Sequence, residues 1–112
     1  MARLDQSNIE AKVRQVVDDL RLYQPTRIIL FGSAARGEAN ESSDLDFVVV
    51  KTTTQPFLDR LKEAALLCTV PGAIDLLVYT PEEWQELQEQ GSPFAERVMK
   101  EGRVVYEAQS SR

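Results

Sequence analysis

The sequence predicts an α/β (α+β) domain, a small mixed sheet of three to four strands flanked by helices. Three observations carry that expectation. Short runs rich in β-branched residues, at 27–31, 45–50 and 73–79, read as strands. The segments around them repeat apolar residues at helical spacing, and several open on capping signals. Strands and helices then alternate in an order that covers a sheet with helices.

Taken in order, Ser7-Asn8-Ile9-Glu10 reads as a capping box, followed by Ile9, Val13, Val16, Val17 and Leu20 on one stripe. That helix should stop near Tyr23, because Pro25 disfavours helix in the residue before it. Arg27 to Phe31 is the first strand, closed by Gly32. Ser33 to Glu38 makes a brief helix or turn, and 38–43 is polar loop. Leu45 to Val50 is almost wholly apolar past Asp46, as expected of a central strand buried on both faces. Pro56 opens a helix whose inner side is read as Phe57, Leu58, Leu61, Ala65 and Cys68, and Pro71-Gly72 stops it. Ala73 to Tyr79 is the third strand. Thr80-Pro81-Glu82-Glu83 caps a helix to about Gln90, and Ser92-Pro93 begins another that reaches about Lys100. Val104 to Tyr106 adds a short edge strand. The expected domain is 1–106, with 107–112 as a flexible tail.

Connection lengths set strand directions. A whole helix between the second and third strands permits a parallel, right-handed crossover. The shorter link between the first and second suits antiparallel neighbours. The end of strand one and the starts of strands two and three then meet at one place.

Composition narrows the chemistry. A chain of 112 residues is one domain that buries about two-thirds of its unfolded surface. Its net charge of −5 argues against binding a phosphate backbone, so no direct nucleic-acid contact is expected. There is no histidine, which excludes Ser-His and Cys-His catalysis and leaves oxygen ligands for any metal. The lone cysteine, Cys68, sits in an apolar run and reads as core; with no internal disulfide available, a reducing cytoplasm is expected. No apolar run approaches a membrane span, and no signal segment opens the chain, so no membrane partner is expected.

The candidate site follows from the meeting point. Asp44 and Asp46 are two apart on a strand and face the same way. Paired carboxylates repel unless a cation sits between them, and an oxygen-only site suits Mg²⁺. Read alone, the pair is equally consistent with a solvated strand opening. Asp75 interrupts an apolar strand and falls beside the pair if the crossover is right; its alternative is an exposed strand mouth or a partner such as Arg27. Gly32-Ser33 directly after a strand lets backbone and hydroxyl approach phosphate. Arg36 either neutralises phosphate or forms a surface pair with Glu38 or Glu41. Ser43 either binds phosphate or closes a turn.

The joined pattern, Gly32-Ser33-x-Ala35-Arg36-Gly37, five residues, then Ser43-Asp44-x-Asp46, with Asp75 in Ile74-Asp75-Leu76, resembles the signature of the DNA polymerase beta-like nucleotidyltransferase superfamily. It is most similar to the minimal nucleotidyltransferase (MNT) branch. The resemblance implies the polymerase beta-like nucleotidyltransferase fold, with Asp44, Asp46 and Asp75 as catalytic and metal residues for Mg²⁺. It implies that Gly32 and Ser33 seat the phosphates of the nucleotide, with ATP as substrate; Arg36 and Ser43 stand beside them as nucleotide-binding candidates from the residue reading. Relatives that modify small molecules carry an additional helical acceptor domain; here the core takes up the sequence, so the acceptor surface is expected on another chain. Family and size together imply an antitoxin that moves AMP to a tyrosine hydroxyl of a HEPN-type ribonuclease toxin and forms a hetero-oligomer with it. The alternative is an inactive nucleotide-binding module that neutralises its partner by contact alone. Trp84, Leu87, Phe94 and Val98 are candidate docking anchors, with Phe94 and Val98 favoured as core and Trp84 left open between core and interface.

Overall fold

The computed structural model describes residues 2–40 and 43–108, with side chains from Asn8 onward. Helix α1 spans Ala2–Leu20 and continues into a 3-10 turn, Arg21–Tyr23. Strand β1 (Arg27–Phe31) runs into a second 3-10 turn, Gly32–Ala34, and β2 is Leu45–Val50. Helix α2 (Phe57–Leu67), strand β3 (Ile74–Tyr79), helices α3 (Pro81–Glu89) and α4 (Pro93–Glu101) and strand β4 (Arg103–Glu107) complete the chain.

The sheet has the order β3-β2-β1-β4. β1 is antiparallel to β2 and to β4, and β2 is parallel to β3 across α2. These are the directions that the connection lengths required. β2 is the interior strand expected of an apolar run, with five of its six residues buried. Side-chain alternation sends Ile28, Leu30, Phe47, Val49 and Val78 to one face, under α1 and α2. Ile29, Val48 and Val50 go to the other, under Trp84 of α3 and Ala95 and Val98 of α4. Each fully buried aliphatic or aromatic side chain contributes about 1.5–3 kcal/mol of burial, so the two half-cores hold the sheet between them.

Four expectations need correction. Helix α1 begins at Ala2, five residues before the supposed Ser7 cap, so the Ser-x-x-Glu pattern lies inside a helix. The inner face of α2 is Arg60 and Ala64, flanked by Leu61, Leu67 and Cys68, whereas Phe57, Leu58 and Ala65 are exposed. Apolar residues occur all round this helix, so periodicity placed Leu61 and Cys68 correctly and misplaced Phe57, Leu58 and Ala65. Trp84 is only 3% exposed and packs against Tyr79 and Phe94, with ring centroids 5.6 and 6.3 Å away, so it is core and not a docking anchor. Val98 is likewise buried, while Leu87 and Phe94 are half-buried against the same cluster. Finally, β4 extends through Glu107, whose carboxylate accepts from Arg27 at 2.8 Å; residues 109–112 lie outside the described ones.

The Thr80 capping box forms as expected, with the Thr80 hydroxyl accepting from the Glu83 N–H and the Glu83 carboxylate accepting from the Thr80 N–H. The same carboxylate also holds Arg60, with nitrogen–oxygen distances of 2.7 and 3.2 Å. Arg60 is 6% exposed and further donates to the carbonyls of Gln55 and Val78, so one guanidinium fastens α2, β3 and α3 together. Pairing with Arg60, reinforced by the Thr80 N–H, holds the Glu83 carboxyl below its ordinary 4.5. A carboxyl depressed on folding adds stability above its unfolded value, and that stability is lost as pH falls through the folded value. Glu83→Gln is therefore expected to cost stability at pH 7, with the gap to wild type closing as pH drops below about 4.5 in urea melts at stepped pH.

Gly102 closes α4 against the sheet. A Cβ there would overlap the Val98 carbonyl oxygen and stand 3.1 Å from that of Leu30, both backbone atoms that cannot swing aside. Gly102→Ala is expected to lose about 1–3 kcal/mol, seen as a lower urea midpoint at unchanged slope.

Candidate active site

The register of the sheet builds the site. Asp46 stands opposite Phe31, the last residue of β1, and opposite Asp75 of β3. Asp46 and Asp75 belong to the sheet face that carries α3 and α4, at the strand ends next to the Gly32 turn, and Asp44 immediately precedes β2. Asp44 and Asp75 are exposed and Asp46 is half-buried. The convergence expected from connection lengths is therefore what the strand pairing produces.

Burial pushes the Asp46 carboxyl from 3.8 up to about 6, and a hydrogen bond to Asp75 with the charges of Asp75 and Asp44 adds to the rise. None of the three takes part in an ion pair among the described residues. Arg27, the alternative partner for Asp75, is at the other end of β1 and bound to Glu107. Among the described residues no three His, Cys, Asp or Glu side chains are already drawn to metal-holding spacing. The donor set fits a hard divalent cation such as Mg²⁺, which takes carboxylate oxygens and keeps several waters.

Gly32 is required by contact as well as conformation. Its φ is 76°, in the left-handed region, and a Cβ at this position would lie 2.5 Å from Asp46 Oδ2. The turn backbone thus lies against the central carboxylate, and only a residue without a side chain permits that approach. The Ser33 hydroxyl makes no hydrogen bond among the described residues, and the first N–H groups of a helical turn have no partner within it.

The other two candidates are committed elsewhere. Arg36 is held by Glu38 at 3.0 Å and by Glu101 of α4 at 3.5 Å. Glu41 lies outside the described residues. The Ser43 hydroxyl accepts from the Asn40 N–H at 3.0 Å, which is the turn-closing role left open by the sequence. Glu101 escaped the sequence reading because it is remote from the turn, and Arg60 because a charged residue was not sought on a buried helix face. Its one-in-four position among Leu61, Ala64 and Leu67 was the available signal.

A four-stranded mixed sheet with a glycine turn pressed on paired strand carboxylates defines a nucleotidyltransferase domain. Residues 14–111 match the family model "Polymerase beta, Nucleotidyltransferase", and the chain belongs to that family. It is 32% identical over 83 residues to a Haemophilus influenzae protein named as a probable protein adenylyltransferase, MntA, covering 70% of this chain and 68% of that one. Its fold is similar to that of a Sulfolobus solfataricus protein assigned to the nucleotidyltransferases, with a TM-score of 0.67, 18% identity, and coverage of 95% of this chain and 86% of the other. It is also similar in fold to a chain of a toxin–antitoxin crystal structure with AMP-PNP, with a TM-score of 0.57, 22% identity, and coverage of 86% and 73%.

Proposed function

We propose that this protein is a Mg²⁺-dependent adenylyltransferase that moves AMP from ATP to a hydroxyl of a partner protein. The partner is a HEPN-type ribonuclease toxin, the acceptor a tyrosine, and the consequence is that the toxin is silenced in the cytoplasm. The observation that carries the reading is Asp46, held between Asp75 in register and the bare backbone of Gly32. The adenylyltransferase named among its relatives supports the reaction class, and the toxin–antitoxin assembly among its structural neighbours supports the kind of partner.

In this reading Gly32 and Ser33 seat the triphosphate tail, and Asp44 and Asp46 hold Mg²⁺. The metal, when bound, neutralises phosphate charge and stabilises the attacking and leaving oxygens. Asp75, exposed beside them, would complete the metal site and help to take the proton of the acceptor hydroxyl. The acceptor oxygen bonds to the α-phosphorus as the bond to the bridging oxygen breaks, and pyrophosphate leaves in line. Positioning does most of the work, since the chain forms no covalent intermediate.

The test is to incubate the protein with a HEPN-type ribonuclease toxin as the candidate partner, ATP and Mg²⁺, and to weigh the toxin. A mass raised by AMP units, absent with Asp44→Ala/Asp46→Ala, supports the enzyme. Inhibition that survives those substitutions without an adduct identifies a binding module instead.

A further inference from the structure

The acceptor has to reach Asp75, and Asp75 is on a strand with a vacant side. β3 is an edge strand, paired only with β2. Its inward bonds come from alternate residues, with Ala73 O accepting from Leu45 N and Tyr79 O accepting from Lys51 N. In a parallel pair the residues between them turn their N–H and C=O the other way. Ile74, Leu76 and Val78 therefore aim their backbone groups outward. Among the described residues only one of these groups is taken, the Val78 carbonyl, which accepts from Arg60 at 3.2 Å. The edge is tied off at its far end and open beside Asp75.

Both faces of this edge carry a hollow. On the α2 side is a hollow of about 180 Å³ formed by Ala65, Cys68, Val70 and Leu76. On the α3 side is a cleft of about 280 Å³ formed by Phe57, Tyr79, Glu86 and Leu87. A strand laid on the edge sends alternate side chains to the two faces, one set to each hollow. The surroundings are acidic. α3 carries Glu82, Glu83, Glu86 and Glu89 with no basic residue, and α2 exposes Asp59 and Glu63 against Lys62.

We propose that the outer edge of β3 is the acceptor-docking site, where an extended basic segment of the partner protein adds as a fifth strand and delivers its hydroxyl to Asp75. The inference rests on the proposed function and names how its acceptor is held. Backbone pairing fixes the register, and the acidic helices select the charge. The cleft at Tyr79 is four residues along from Asp75, about 13 Å at strand rise. An anchoring side chain in that cleft is thus about four residues from the modified one.

The probe is a fluorescein-labelled nonapeptide alternating Arg and Val around one central Tyr, measured by anisotropy without nucleotide and by AMP incorporation with ATP and Mg²⁺. Leu76→Pro removes an outward N–H and leaves the ladder to β2 intact, while Leu76→Ala trims the same side chain and keeps the N–H. Peptide binding is expected to weaken about tenfold or more in Leu76→Pro relative to Leu76→Ala. A Glu-for-Arg peptide should bind at least about tenfold more weakly to the wild type. Because Leu76→Pro could unfold, the wild type is also titrated with the peptide N-methylated at alternate amides, which should lose binding in one methylation phase and keep it in the other. Equal binding by the two Leu76 variants and by both N-methylated peptides overturns the proposal, as does no binding of the parent peptide. A concentration-dependent dimer of the wild type that Leu76→Pro abolishes overturns it too, by assigning the edge to a second copy. Edge-dependent binding without AMP transfer to any acceptor would leave the docking site standing and remove the proposed activity. Transfer with indifferent Leu76 variants would do the reverse.

Discussion

In an assay of AMP transfer from ATP, Asp46→Asn is expected to lose roughly 10³-fold of the rate, about 4 kcal/mol of transition-state stabilisation, while the chain stays folded. The amide keeps the size of the carboxyl and removes the charge that the proposed metal site needs. Stability supplies an independent readout. The Asp46 carboxyl is raised on folding from 3.8 to about 6 by burial and by Asp75 and Asp44. A group raised on folding gives stability that is fully present below its unfolded value and lost as pH rises through the folded one. Without a divalent cation, wild-type stability should therefore carry a decline between about pH 4 and 6 that Asp46→Asn lacks. Mg²⁺ should raise the wild-type melting temperature at pH 7 and leave Asp46→Asn unmoved. Melting curves with and without Mg²⁺ that are alike for both proteins would count against the carboxylates as a metal site.

Gly32→Ala is the second large effect. A Cβ at this position would stand 2.5 Å from Asp46 Oδ2, on a residue already at φ 76°. The left-handed backbone costs a non-glycine residue about 1–2 kcal/mol. Displacing the central carboxylate costs far more in rate, because a misplacement near 1 Å is worth roughly 10²-fold. The substitution is therefore expected to slow transfer roughly a hundredfold with a much smaller loss of stability. Combining it with Asp46→Ala tests the cause. With the carboxylate gone the overlap goes too, so the stability costs should fall short of additive. Strict additivity in urea melts would mean that Gly32 acts without Asp46.

The strands were legible because their signals are local. Arg27–Phe31 and Leu45–Val50 are bounded by turn residues and filled with β-branched ones, and their bounds match the structure. The meeting of Asp46 with Asp75 was legible one step removed, through a crossover long enough to be parallel. Other features depended on the tertiary surroundings. Leu58 is 67% and Leu66 86% exposed, although neither differs in kind from the buried Leu20, so composition could not assign the inner face of α2. Arg60 is buried only because Glu83 and two carbonyls wait for it, and those partners come from three separate segments. Arg36 was divided between phosphate and a carboxylate, and its second partner, Glu101, comes from a helix that begins more than fifty residues later.

Arg60 also bears on how the chain behaves when crowded. A border strand reading Ile-Asp-Leu-Leu-Val-Tyr, β-prone and nearly uncharged, is the sort of segment that nucleates fibrils. The guanidinium on its penultimate carbonyl interrupts the template at that end. Stacking of copies along this edge into an endless ribbon is expected to be blocked at that end.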